Sequence, residues 1–486
     1  MPQSRTTVAS FAAAMLLAAG PVDGQVLTRG PYLQNVTQSS VVVRFDLDAA
    51  APMEVHFGPT DGYGSIADAG TASSFEVLLD GFFPGDEVHY ALVSGGTTLA
   101  GDFSFTTSPP PRAPLRLLVL GDTRSNHADH AEVISAAVDE NPHVCVHTGD
   151  LVSSGEVADD WVHFFDAEAA LLAEVPQFAV IGNHEEDGGH VNLFTEYLTL
   201  PRNSPAPEHY YSVNYGNVHI VVLDGHVNVD ADWVCILRIA WWESCFTVAQ
   251  VDWLTADLAA ARANPDIDHI FVFNHQGPYS SKSGRTGMKQ MRDLMPLFAD
   301  SGVSFVISGH DHYYERGYSG NGIPYIITAG GGAPLYDIGA PSAAPHTVVH
   351  NESTLHYTLF DIDHLIVTLV AYRIDGTVLD TYTFISEPRA CTDPATDCGT
   401  LPPDCAAGEW VCEGGLCQMA SCDAVPEPDD APEPVPEASG EDSPEPAPDE
   451  GAVDGFVDTG PDPDAESDAP GVDPAEPSSC GCRMVT

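Results

Sequence analysis

Five short apolar runs, each closing on a side chain able to hold a metal, constrain this 486-residue chain more than any other feature. They are LRLLVLGD ending at Asp122, VCVHTGD ending at Asp150, FAVIGNH ending at Asn183 and His184, IFVFNH ending at His275, and VSFVISGHDH carrying His310 and His312. Runs of this length and composition read as strands. Between them lie amphipathic stretches such as HAEVISAAVDE (130–140) and AQVDWLTADLAAARA (249–263), which read as helices. Strands alternating with helices indicate an α/β domain, and in open α/β folds ligands gather at the carboxyl ends of the strands. A single Asp after Gly is an ordinary turn residue, and a single His an ordinary core or surface group. Five such strand ends in one chain point instead to a common rim.

The donor types narrow the chemistry. Two carboxylates, an amide carbonyl and three imidazoles, with no thiolate, suit Fe, Zn or Mn better than Ca or Mg. Six donors exceed what one tetrahedral Zn requires and suffice for two divalent or trivalent ions sharing a carboxylate. Two ions a few ångströms apart clamp a phosphoryl oxygen and activate a bridging water.

Charge excludes other classes. With 71 Asp and Glu against 17 Lys and Arg the formal charge is −54, which would repel a nucleic acid rather than neutralise it. Lys282 and Lys289 are the only lysines, too few for a basic patch. The N-terminus carries Arg5 and then an apolar run, Val8 to Ala19, with small residues before Gln25. This reads as a signal peptide over 1–24, and no other segment is long and apolar enough to span a bilayer. Residues 26–108 alternate apolar and polar positions between Gly/Pro/Asp turns, the pattern of an all-β sandwich, closed by the linker SPPPRAP (108–114). The α/β pattern then runs over 115–385. Six of the 11 cysteines fall within 391–422 with no histidine and no C-x2-C pair, which favours a disulfide module over zinc. From 423 to 486 the chain is Pro- and acid-rich and is expected to be a disordered tail.

The motifs GDTR (121–124), GDLVS (149–153), GNHE (182–185), VFNH (272–275) and GHDHYYER (309–316), in this order, resemble the calcineurin-like metallophosphoesterases. RGPYLQNVTQSSVVVRF (29–45), YYSVNYGNVHIVVLD (210–224) and GPYSS (277–281) are similar to the purple acid phosphatase branch, in which a fibronectin III-like sandwich precedes the catalytic domain. The resemblance covers about 26–385 and implies a β-sandwich flanked by helices with a dinuclear centre. By position, Asp150 would bridge the metals, Asp122 and His312 would hold the first, and Asn183, His275 and His310 the second. His184 would protonate or orient the leaving oxygen, the usual task of an imidazole near neutral pH. The implied activity is hydrolysis of small phosphate esters by a metal-bound hydroxide, acid phosphatase-like and directed at monoesters. A phosphodiesterase and a non-catalytic surface binding protein with a degraded first-metal site are the alternatives. The signal peptide and cysteine usage imply a secreted, extracellular protein. The closing SSCGCRMVT resembles the cysteine signature of C-terminal surface-sorting signals, and behind an acidic spacer it suggests attachment at the cell surface through the tail.

Two positions depart from the resemblance. Most of the superfamily has His two residues after the first Asp, where this chain has Arg124; the purple branch has Tyr three residues after the bridging Asp, where this chain has Ser153. Arg124 has two readings, a bidentate contact to substrate phosphate or an ion pair with a nearby carboxylate. His127, His130 or water is left to complete the first metal. A serine hydroxyl cannot give the tyrosinate-to-ferric charge transfer that colours the purple branch, so the iron-loaded protein is expected to be colourless. A visible absorption spectrum checks this, and a purple protein would show a misplaced ligand.

Overall fold

The computed structural model describes residues 25–186, 190–226 and 245–386, together with the backbone of strands Cys405–Glu413 and Leu416–Ala424, which pair antiparallel. The expected signal peptide, the first half of the cysteine-rich segment and the tail from 425 onward lie outside the described residues.

The N-terminal region is all β. Strands β1 (Leu27–Gln34), β2 (Ser40–Gly58), β3 (Ser65–Asp80), β4 (Glu87–Ser94) and β5 (Thr97–Thr106) are hydrogen-bonded in one antiparallel network. The long β2 carries β1 along its first half and β4 along its second, with β3 beside both. Val41, Val43 and Phe45 of β2 are buried in the core by their period-2 spacing.

Two larger sheets follow. One has six strands in the order β18-β17-β16-β6-β7-β8: β6 (Leu115–Leu120), β7 (Val144–His147) and β8 (Gln177–Ala179) run parallel, with β16 (His356–Asp363), β17 (Ile366–Arg373) and β18 (Val378–Ile385) antiparallel beside them. The other has seven, ordered β15-β13-β14-β12-β11-β10-β9. Its parallel centre is β10 (Val218–Val222), β11 (His269–Gln276), β12 (Phe305–Gly309) and β14 (Pro324–Thr328), edged by β9 (Tyr211–Tyr215), β13 (Tyr314–Ser319) and β15 (His346–Glu352). Strands buried on both faces must be apolar at every position, and alternation then decides which core each side chain enters. Leu117, Val119, Val144, Val146, Ile220, Val222, Phe271, Phe273, Phe305 and Ile307 fill the core between the sheets.

The alternate residues face outward onto helices. Leu118, Leu120 and Cys145 meet α1 (His127–Val138) and α2 (Ala158–Leu172), whereas Val221, Ile270, Val272 and Val306 meet α4 (Val248–Ala263) and α5 (Lys289–Ser301). A short α3 (Asn192–Tyr197) completes the helices described. The Thr247 hydroxyl caps α4 by accepting the Gln250 N–H at 3.1 Å, and Gly302, at φ 74°, ends α5 where a left-handed residue is needed. Among the described residues no helix is long and apolar enough to cross a membrane.

The β region packs directly on the two-sheet domain. Arg29 lies 3.7 Å from the ring centre of Tyr197, the Tyr32 hydroxyl donates to Tyr197 O at 2.7 Å, and Arg44 donates to Glu196 O at 2.8 Å. Tyr90, fully buried, donates to Ala173 O at the end of α2 at 2.6 Å. Replacing Tyr90 by Phe removes that donor and strands a buried carbonyl, a loss of about 1–3 kcal/mol. The thermal midpoint of Tyr90→Phe is expected to fall by roughly 2–4 °C per kcal/mol, as calorimetry would register. An unchanged midpoint would mean that this bond adds nothing to the contact.

Candidate metal centre

The strand ends converge. Asp122 follows β6, Asp150 follows β7, Asn183 and His184 follow β8, His275 lies on β11, and His310 and His312 follow β12. Asp122, Asp150 and His310 leave their strands at φ 57°, 55° and 69°. Left-handed backbone is uncommon outside glycine and costs energy, so its occurrence at three rim residues marks the place where the chain is bent for the sake of a side chain. Glycines precede Asn183 and His310 for a steric reason. A Cβ on Gly182 would run into Asp150, and one on Gly309 into Asp122.

Asp150 is at the middle. Its Oδ1 lies 3.2 Å from His275 Nε2 and accepts the His184 N–H at 3.1 Å. Asn183 Oδ1 lies 3.1 Å from His275 Nε2 and 3.0 Å from His310 Nδ1, and the two imidazole nitrogens are 3.3 Å apart. Asp122 Oδ1 stands 3.3 Å from His312 Nε2, and both Asp122 oxygens accept the His310 N–H at 3.1 and 3.0 Å. Ligand atoms of Asp122, Asp150 and His275 lie within 4.8 Å of one another.

Backbone carbonyls set the imidazole tautomers. A carbonyl can only accept, so Nδ1 of His275 must donate to Thr148 O (2.9 Å), that of His312 to Pro334 O (2.7 Å) and that of His184 to Ser153 O (2.7 Å). Each Nε2 is left turned inward, the arrangement that metal-binding histidines show. Burial works against charge on Asp150, but His275, His184 and Arg124 outweigh it and hold the carboxyl well below its ordinary value. Burial likewise opposes protonation of His275, yet Asp150 and Asp122 push it up to about 9. The site therefore attracts positive charge. His310 is driven well below its ordinary value by burial and by Arg285 and His275, leaving it neutral, as a ligand must be.

These residues fit a metal. The 3.0–3.3 Å spacings among Asp150, Asn183, His275 and His310 match the edges of a coordination polyhedron with bonds of ~2.0–2.2 Å. His310 Nε2, fully buried, has no hydrogen-bond partner among the described residues.

Arg124 is buried, with Nε 3.3 Å from Asp150 Oδ2 and a second nitrogen donating to Ser125 Oγ at 3.1 Å. The geometry is that of the ion-pair reading. His130 turns to Glu168 (3.1 Å) and His127 stacks on His163, so neither joins the centre. Ser153 Oγ contacts Ser125 Oγ at 3.2 Å. His184 Nε2 lies 3.9 Å from Asp150 Oδ2, its side chain 14 % exposed.

Two contributors have no role in the sequence reading. Glu185, fully buried, accepts backbone N–H groups from Asp150 (2.9 Å), Leu151 (2.8 Å), Val152 (3.3 Å) and Gly182 (2.7 Å). Burial and the charge of Asp150 push its carboxyl up to about 7, against the pull of those donors. Four donors and no acceptor are the partners of a carboxylate, which here clamps the Asp150 loop to the Asn183 loop. His147 accepts the Gly149 N–H at 3.2 Å, so its Nε2 donates to Thr123 Oγ1 (3.1 Å), which in turn donates to Leu151 O (3.2 Å). That chain ties the Asp122 and Asp150 loops together. The final Glu of GNHE is the one trace of the first clamp in the sequence.

Two stacked sheets whose strand ends carry this donor set define a metallophosphoesterase fold. Residues 115–314 match the family model of the calcineurin-like phosphoesterases. The chain is 28 % identical over 342 residues to an uncharacterised protein of Mycobacterium tuberculosis, covering 62 % of this chain and 63 % of that one. It is 25 % identical over 294 residues to purple acid phosphatase 18 of Arabidopsis thaliana, covering 55 % and 61 %. The matches thus span less than two thirds of either relative. Purple acid phosphatase PPD1 from yellow lupin seeds shares the fold, with a TM-score of 0.60, 20 % identity and 74 % of each chain covered.

Glu185→Gln turns an amide NH2 toward N–H groups, an arrangement of donors facing donors. The variant is expected to remain folded but to release metal more readily on dialysis, which elemental analysis before and after would detect. Retention equal to wild type would reduce Glu185 to a packing residue.

Proposed function

We propose that this protein is an exported dinuclear-metal hydrolase of phosphate esters, acting as an acid phosphatase-like phosphomonoesterase. The observation that carries the reading is the grouping of Asp150 with Asn183, His275 and His310, with Asp122 and His312 alongside. Similarity to a plant purple acid phosphatase supports the monoester preference. The signal peptide and the cysteine-rich segment support action outside the cytoplasm.

Metal ions held there supply Lewis-acid polarisation of the phosphoryl oxygens and activate water. The protein's own part is positioning and proton handling, which is most of what phosphoryl transfer asks. Asp150 is fixed by its contacts at both oxygens, and His275 and His312 are held by carbonyl acceptors. His184 is anchored through Nδ1 and keeps Nε2 beside the centre, partly open to solvent. As the imidazolium, with a proton on each ring nitrogen, it would deliver the Nε2 proton to the departing alkoxide oxygen and be left as the neutral Nδ1–H tautomer bonded to Ser153 O.

Hydrolysis of an aryl phosphomonoester and diester in the presence of Mn, Zn or Fe tests the proposal. His184→Ala is expected to keep its metal content while turnover falls by ~10²–10⁴-fold, the usual contribution of a general acid. Asp150→Ala is expected to lose both turnover and metal. Diester preference would make the enzyme a phosphodiesterase; no turnover with any metal would favour a binding protein.

A further inference from the structure

The run HIVVLDGH (219–226) closes on polar side chains just as the five ligand-bearing runs do. Its strand, β10, lies parallel to β11 with Val222 level with Phe273, so the two deliver their ends to the same rim. The loop beyond β10 is firmly held. Gln250 of α4 accepts the Asp224 N–H at 2.9 Å and donates to Asp224 O at 2.8 Å, and Asp224 Oδ1 accepts the His226 N–H at 2.8 Å. Gly225 lies so close to β11 that a Cβ there would meet Asn274 Oδ1 at 3.4 Å.

These contacts set the His226 ring beside the metal centre. Its centroid lies 5.5 Å from that of His275, edge-on at 65°. Burial and His275 push the ring down to about 4, while Asp224, Asp150 and His184 also act on it, and His226 in turn acts on His310. Its Nε2 is buried, and among the described residues nothing bonds to it. Leaving a buried polar atom unpaired is costly, so such an atom calls for a partner that arrives from outside. Donor atoms of one ion crowd together, as the 3.0–3.3 Å spacings among Asn183, His275 and His310 illustrate, and His226 Nε2 makes no such contact with any of them. It stands outside the coordination shell, at the remove of a group that addresses an oxygen held by the ion and not the ion itself.

We infer that His226 is a substrate-contacting residue, whose Nε2–H donates to a non-bridging phosphoryl oxygen of the ester, and of the phosphate product, at the position of Asn183, His275 and His310. An anionic oxygen can only accept, so the bound anion fixes the single proton of the neutral ring on Nε2. No bond to His226 is made or broken; the ring binds and orients. This rests on the phosphate-ester reading above and adds to it a contact from β10.

Binding of inorganic phosphate to the Mn2+-loaded full chain, followed by calorimetry, tests this without turnover. His226→Phe keeps a ring and removes both nitrogens. Its phosphate affinity is expected to fall by about tenfold or more, the usual worth of a hydrogen bond to a charged group, with Mn2+ content by elemental analysis as in wild type. His226→Gln, whose amide N–H can reach the place of Nε2, is expected to recover part of the loss. Phosphate affinity equal to wild type in both variants, or loss of Mn2+ from both, overturns the inference and leaves the phosphate-ester reading standing. A wild type that binds no Mn2+, or that holds Mn2+ and takes up no phosphate, overturns both.

Discussion

A carboxylate with no access to water costs several kcal/mol to keep ionised unless its surroundings supply opposite charge or donors. Asp150 is in that position, and much of the two-sheet domain is arranged to meet it. His275, His184 and Arg124 bring charge, and the His184 N–H brings a donor. The same loop is held from beneath by Glu185, which takes three of its backbone N–H groups, and from the side by the His147–Thr123 chain. Two buried carboxylates thus stand back to back. Glu185 is satisfied entirely by backbone dipoles, which leaves the charged partners for Asp150.

The sequence carried the parts that depend on local pattern. Apolar runs with alternating destinations set the two sheets, since Leu117 and Leu118 are both Leu yet enter different cores only because a strand has period 2. The ligand-bearing ends were legible because Asp, Asn and His after strand-length apolar runs are chemically conspicuous. What could not be read was whatever depends on two loops meeting. Glu185 became a clamp only when the Asp150 loop arrived against it, and Arg124 acquired a partner in the same way. His130, which looked available as a ligand, is claimed by Glu168 from α2, a contact across 38 residues that no local spacing reveals.

The charge balance has a second effect. A body this acidic sets up a far field that opposes approach of an anionic ester, and salt weakens that field. Arg285 pairs with Asp311 and reaches toward His310 O, and Lys282 lies 3.2 Å from the ring centre of Tyr336, which stacks on His312. Two of the chain's few cations thus stand close to His310 and His312.

The N-terminal sheet and the two-sheet domain look like separate parts, yet their apolar interiors are continuous. Val41, Phe45 and Tyr90 belong to the same cluster as Trp161 and Phe165 of α2 and the strands between the catalytic sheets. The helix α2 leads away from the Asp150 loop, so one of its ends is tied to the chemistry and its flank to the sheet. A linker of prolines marks a border in the covalent chain, but mechanically there is no joint there. The outer sheet is seated on both α2 and α3, so it shares its packing with the helix that follows the loop holding the central charge.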